Sequence, residues 1–169
     1  MSFVKISFED SLEKNVVLTG RCVGCGTCVV VCPFNCLELR TDKLVLVKEC
    51  KICGICAKAC PVNEWSLPKA ESFVFGRERK PDEVFGIYRR ITVAKAKDNR
   101  VTRVCQDGGV STALLLFALE NGIIDGAVVT GTSREKPLYP VPRLATTPEE
   151  ILESAGTKYS YSPNVLAVT

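Results

Sequence analysis

The chain has 169 residues, 46% hydrophobic and 24% charged, with a formal net charge of +3 and no histidine. That apolar content supports one ordinary domain or two small ones and argues against disorder. The missing histidine excludes Rieske centres, histidine-ligated haem, histidine zinc motifs and any imidazole general base. The charges are scattered rather than gathered into a block, so nucleic acid is not an expected partner. The longest near-continuous apolar run, ALLLFAL at 113–119, is far shorter than a membrane span. The N-terminus, MSFVKISFEDSLEK, carries charges where a signal peptide needs an apolar stretch. A cytoplasmic protein is expected, and its ten cysteines then need an explanation other than disulfides.

In chain order, VVL at 16–18 reads as a short strand leading into CVGCGTCVVVCP at 22–33. The run returns as CKICGICAKACP at 50–61. Cys22, Cys25, Cys28 and Cys32 map onto Cys50, Cys53, Cys56 and Cys60 with one common offset, and Pro33 maps onto Pro61. Such a repeat implies two copies of one small unit facing each other. A cysteine at every third position can wrap three corners of a [4Fe–4S] cubane, provided the backbone turns tightly and leaves its amides uncovered. Gly24, Gly26 and Gly54 allow both. In the bacterial ferredoxin form of this spacing the fourth cysteine ligates the other cluster. That rule puts Cys22, Cys25, Cys28 and Cys60 around one cluster, and Cys50, Cys53, Cys56 and Cys32 around the second. The prolines end each short helical turn.

Zinc is the competing reading, but paired knuckles would leave a third, closely spaced thiolate awkwardly placed in each run. A redox disulfide would need an isolated C-x-x-C beside a βαβ pattern, which these runs lack. Two oxidised clusters at about −2 each would turn the formal +3 into about −1, so the basic side chains partly neutralise cofactor. Between the runs, LELRTDKLVLV at 37–47 reads as a hairpin with a polar turn at Thr41–Asp42. Residues 1–66 are therefore expected to form an α+β, ferredoxin-like bicluster domain held together largely by its clusters. Cys36 reads as a buried thiol. Cys105 has two open readings, structural and redox-neighbouring.

Residues 67–84, LPKAESFVFGRERKPDEV, have linker composition, with FVF at 73–75 free to pack on either side. RRITVAKAKD at 89–98 then reads as a strand. QDGGVSTALLLFALENG at 106–122 reads as a glycine turn opening a helix, apolar nearly all round and hence buried, with Gly122 closing it. DGAVVTG at 125–131 reads as a buried strand, followed by a proline-rich loop containing Pro137, Pro140 and Pro142. TPEEILESAG at 147–156 is a helix with Thr147 as N-cap, Pro148 at the first position, Glu150 completing a capping box and Gly156 as the stop. NVLAVT at 164–169 reads as another strand. Alternation of strand and helix predicts a mostly parallel α/β sheet with a ligand site beyond its strand ends. The QDGGVST turn suits that site, although a plain tight turn explains two glycines equally well.

GIYRRITVAKAKDNRVTRVCQDGGVSTALLLFALENGIIDGAVVTG and ATTPEEILESAGTKYSYSP resemble the N-terminal half of the coenzyme F420 hydrogenase/dehydrogenase beta-subunit family, over about residues 85–169. QDGGV, IDGAVV and AGTKY carry the similarity. A bicluster module ahead of that domain is similar to family members that oxidise or reduce F420 for a membrane-bound or soluble electron chain; related architectures serve sulfite reductases and a chlorophyll-derivative reductase. The resemblance implies the first half of an α/β flavin-binding domain, FAD as cofactor and F420 as substrate. It further implies redox partner subunits or a ferredoxin-like acceptor, and a cytoplasmic location, free or at the periphery of a membrane complex. F420 gives two electrons as hydride and a cluster takes one, so a flavin between them is chemically apt. By the same resemblance Gly108, Gly109, Val110, Ser111 and Thr112 would lie against the flavin. Gly156, Thr157, Lys158 and Tyr159 would line the same site, with Lys158 offering charge to a phosphate. Family members run well beyond residue 169, so the expectation is a fragment, or a sheet completed by a second polypeptide. Two other functions stay open: an electron-transfer subunit without hydride chemistry, and a ferredoxin-dependent flavin reductase of an organic substrate.

Overall fold

A computed structural model describes residues 5–40 and 43–168. The N-terminal segment departs from the expected strand. Glu9–Val17 form a wide helix in which amides reach back five residues, Glu13 to the Phe8 carbonyl at 3.0 Å and Leu18 to that of Glu13 at 2.8 Å. The pattern that decides this is Phe8, Leu12 and Val16, spaced by four and all buried. Burying that stripe outweighs the strand preference of two adjacent valines.

The hairpin forms as expected. β1 (Leu37–Arg40) pairs antiparallel with β2 (Lys43–Leu46), with Leu37 opposite Leu46 and Leu39 opposite Leu44. The turn expected at Thr41–Asp42 lies outside the described residues. Leu37 and Leu44 meet Phe8, Leu12, Val16, Cys56 and Ala57 in the first core. On this core sit α1 (Thr27–Val30) and α2 (Ile55–Ala59), each opened by a glycine in the left-handed region, Gly26 at φ +81 and Gly54 at φ +70. The two short helices pack on each other, as a repeat facing its copy should.

The charged stretch that follows is locally folded. α3 (Leu67–Phe75) takes a proline in its first turn and ends at Gly76. Its buried Glu71 accepts from the Arg79 backbone amide at 3.1 Å and pairs with the Arg79 guanidinium. Arg77 clamps Glu83 through two bonds of 2.7 and 2.6 Å, and Arg77 holds that carboxyl down at about 2. Phe73 and Val74 face solvent, so FVF does not pack as the sequence suggested.

In the second half, residues 91–98 belong to no ladder among the described residues; Ile91 and Val93 are exposed. A strand pattern needs a partner edge; the Ala96 amide bonds the Gly108 carbonyl at 2.7 Å without a ladder forming among the described residues. After α4 (Asn99–Thr102) comes α5 (Val110–Glu120), closed by Gly122, whose amide bonds the Leu119 carbonyl while Ile123 bonds that of Ala118. Only one flank of α5 is covered: Leu116 is buried, whereas Leu114 and Phe117 are exposed, contrary to the expected all-round burial.

β3 (Ala127–Thr132) and β4 (Pro140–Ala145) form a two-stranded antiparallel sheet, not the parallel arrangement expected. The connection is a short loop in which Ser133 accepts from the amides of Glu135 and Lys136, too brief for a parallel crossover. Pro140 and Pro142, expected in a loop, lie in β4, which they confine to a sheet edge. α6 (Pro148–Glu153) has the full capping box of Thr147 and Glu150. Residues expected as a last strand make a 3₁₀ turn, Asn164–Val168. Asn164 Oδ1 accepts from the hydroxyls of Ser162 at 2.7 Å and Thr130 at 2.9 Å, and this local bonding diverts the chain from a ladder. Val101, Leu116, Ala127, Val129, Ala145 and Ile151 form the second core. Among the described residues no helix is long and apolar enough to cross a membrane.

Candidate functional site

The two left-handed glycines turn each cysteine loop inward, and the fold sorts the thiols into two narrow cavities. One is lined by Cys22, Cys25, Cys28 and Cys60 between Leu12, Val16, Leu39 and Leu44. The other is lined by Cys32, Cys50, Cys53 and Cys56, together with Cys36, Phe8 and Leu37. Each cavity thus takes three cysteines from one run and the last from the other. The repeat makes this exchange possible because α1 and α2 lie side by side.

The electrostatics follow from this crowding. Burial, then neighbouring Cys25, Cys22 and Cys60, push the Cys28 thiol up to about 12. Burial also raises Cys56 to about 11, with Cys50, Cys53 and Cys32 adding to it. Thiols so placed keep their protons unless a cationic core enters and reverses the balance. The four repeat thiols in each cavity therefore fit a cationic iron–sulfur core, since a cubane takes one sulfur at each of its four corners.

Backbone amides reach the sulfurs of the second cavity. Phe8 and Ile52 donate to Cys50 Sγ, and Cys36 donates to Cys32 Sγ, all at 3.4 Å. In the first cavity the Thr27 hydroxyl lies 3.4 Å from Cys25 Sγ. Cys36 is buried as expected; its thiol donates to the Glu49 carbonyl at 3.3 Å.

A third recess, a cleft of about 460 Å³, opens between the N-terminus of α5 and the end of α6. Gly108, Gly109, Val110, Ser111, Thr112, Gly156 and Thr157 line it, with Ala94, Gln106 and Asp107. Gly108 has no room for a side chain, since a Cβ would stand 2.6 Å from the Ala94 carbonyl. Gly109 adopts φ +69 as the cap of α5, leaving the first-turn amides without intrahelical acceptors. Cys105 donates its thiol to the Asp107 carbonyl at 3.0 Å, closing the same turn. A residue that sequence reasoning passed over organises the cleft: Gln106 accepts from the Thr157 amide at 3.1 Å and donates to the Tyr159 hydroxyl at 2.6 Å. Lys158 and Tyr159 are not among the lining residues. The Lys158 ammonium bonds the carbonyls of Ser154, Ala155 and Gly156 at 3.0–3.1 Å, and burial lowers its pKa.

Two family profiles match the chain. Residues 16–38 match the 4Fe-4S binding domain, and residues 91–169 match the N-terminal domain of the coenzyme F420 hydrogenase/dehydrogenase beta subunit. Residues 91–169 are thus similar to the N-terminal domain of the coenzyme F420 hydrogenase/dehydrogenase beta subunit. The coenzyme F420 hydrogenase subunit beta of Methanothermobacter thermautotrophicus is 47% identical over 83 residues, 49% of this chain and 29% of that protein. The coenzyme F420-dependent sulfite reductase of Methanocaldococcus jannaschii is 36% identical over 150 residues, which cover 88% of this chain and 21% of that enzyme. A solved F420-reducing [NiFe] hydrogenase complex from Methanosarcina barkeri is similar at 43% identity over 43% of this chain and 24% of the matched chain, with a TM-score of 0.41. The chain spans well under half the length of these relatives. The glycine cleft falls wholly within the matched residues 91–169, and the cysteine-rich half contributes nothing to it.

Proposed function

We propose that the protein is an iron–sulfur flavoprotein subunit that moves electrons between coenzyme F420 and a partner acceptor through FAD and two [4Fe–4S] clusters. The observation that carries this reading is the pairing, in one chain, of two four-thiol cavities with a glycine-lined cleft that lies within the match to an F420-enzyme family. Two of the relatives to which the chain is similar carry the names of F420 enzymes.

When bound, the clusters supply one-electron capacity and FAD supplies a junction between hydride and single electrons. The chain's own groups do the holding. Cys22, Cys25, Cys28 and Cys60 would ligate one cluster, and Cys50, Cys53, Cys56 and Cys32 the other, with the amides of Phe8, Ile52 and Cys36 bonding thiolates of the second. The bare backbone of Gly108 and Gly109 lets a planar or anionic group approach closely, and the α5 amides of Val110, Ser111 and Thr112 face it as donors. Gln106 fixes the 156–159 loop at the opposite wall. Lys158 serves α6 rather than a phosphate, so the cleft relies on amides and hydroxyls.

Anaerobic stopped-flow mixing of the full-length protein with reduced F420 tests this. Bleaching of the flavin absorbance is expected, followed by reduction of the clusters. A flavin-free protein, or a flavin band that reduced F420 leaves unchanged, contradicts it. The commitment of Lys158 to backbone carbonyls favours one second reading, a wiring subunit without flavin, and a colour due to iron–sulfur alone after anaerobic purification is its signature.

A further inference from the structure

The repeat is broken at one cysteine. Cys36 lies four residues after Cys32; the matching position after Cys60 is Glu64, which is exposed. Cys36 is 3% exposed and lines the second cavity, so that hollow holds five thiols where the first holds four. A tight turn puts it there. The Asn35 amide bonds the Cys32 carbonyl at 3.1 Å, and Asn35 takes a left-handed φ of +49, folding the chain back on itself. The Cys36 amide then donates to Cys32 Sγ at 3.4 Å, and its thiol rests on the Glu49 carbonyl, one residue before Cys50. A buried thiol held against one ligand and beside the next is more than packing requires.

We propose that Cys36 is a reserve ligand for the cluster corner assigned to Cys32, a role that rests on the two-cluster reading above. In the exchange the iron–sulfur bond to Cys32 breaks as one to Cys36 forms. The proton of the Cys36 thiol passes to the Cys32 sulfur, and no electron is gained or lost. The cost is the weak S–H bonding to the Glu49 and Phe34 carbonyls. The first cavity has no such reserve, so the two sites should differ in how they survive loss of the cross-run cysteine.

The test uses full-length protein prepared anaerobically, with iron counted per chain and three-iron clusters detected by EPR. Wild type and Cys36→Ala are expected to hold about eight irons, four per cubane. Cys32→Ala is expected to keep that count with no three-iron signal. Cys60→Ala, and the double variant Cys32→Ala/Cys36→Ala, are expected to lose iron and show the three-iron signal. If Cys32→Ala behaves like the double variant while wild type holds about eight irons, the reserve role is overturned and the cluster reading stands. A wild type short of that count overturns the cluster reading itself. Should Cys32→Ala fail to fold, Cys32→Ser carries the comparison: its Mössbauer spectrum must change when Cys36→Ala is added, and identical spectra overturn the inference.

Discussion

Leu166 stands over Gly26: a Cβ built on Gly26 would lie 2.9 Å from Leu166 Cγ. The C-terminal 3₁₀ turn thereby rests on the first cysteine loop, and the Thr130–Asn164 bond ties that turn to β3. The second half thus meets the loop that carries Cys22, Cys25 and Cys28. Gly26→Ala meets two costs, a side chain at φ +81 and this contact. A loss of about 1–3 kcal/mol is expected, read from denaturant unfolding of the reduced holoprotein. Adding Leu166→Ala should recover part of it, the steric share, and leave the backbone share. Full recovery, or none, would show that only one of the two costs is real.

Ile52 occupies the place in the second loop that Gly24 has in the first, and keeps the same left-handed turn, φ +54 against φ +62. A β-branched residue there is strained, and its side chain is half exposed, so little packing offsets the strain. Ile52→Gly is expected to stabilise by about 0.5–1 kcal/mol, relief of the dihedral outweighing the added freedom of the unfolded chain. Slower iron loss to a chelator is the measurement; faster loss would mean that the isoleucine shields the cluster.

The sulfurs of the two cavities are bonded differently. Amides of Phe8, Ile52 and Cys36 reach Cys50 and Cys32, and such donors favour the more negatively charged, reduced state of a cluster. The cluster held in the second cavity is expected to have the higher potential, which would make the first, next to Leu166, the entry point for electrons from the second half. An EPR-monitored titration, with the signals assigned through Cys60→Ala, checks the order. A lower potential for the second site would reverse the direction.

Much of this architecture was legible in the residues. Fixed chemistry was readable: cysteines at a constant spacing with an internal repeat, and Thr147–Pro148–Glu150 at a helix start. The hairpin of β1 and β2 was readable because its alternation buries Leu37 and Leu44. The failures share a cause. VVL, RRITVAKAKD and NVLAVT all have strand composition, yet strand formation depends on a partner edge that composition does not contain. Val16 instead completes a helical stripe, residues 91–98 join no ladder among the described residues, and Asn164 captures two hydroxyls. Gln106 escaped notice because its role joins the QDGGV turn to a loop some fifty residues away, a contact with no local signature.

That contact gives a prediction for the cleft. Gln106→Ala removes the bonds to the Thr157 amide and the Tyr159 hydroxyl while leaving both cores untouched. Flavin retention through gel filtration is expected to fall about tenfold or more, as expected for losing about 1.5 kcal/mol of support. The iron content should not change. Unaltered flavin would place the cofactor away from this cleft.

The most direct measurement is the metal and sulfide content of full-length protein purified without oxygen, combined with Mössbauer spectroscopy. The two cavities predict about eight irons and about eight inorganic sulfides per chain, in spectra of cubane clusters. Zinc bound without sulfide, or iron without the cubane signature, would contradict the account at its root.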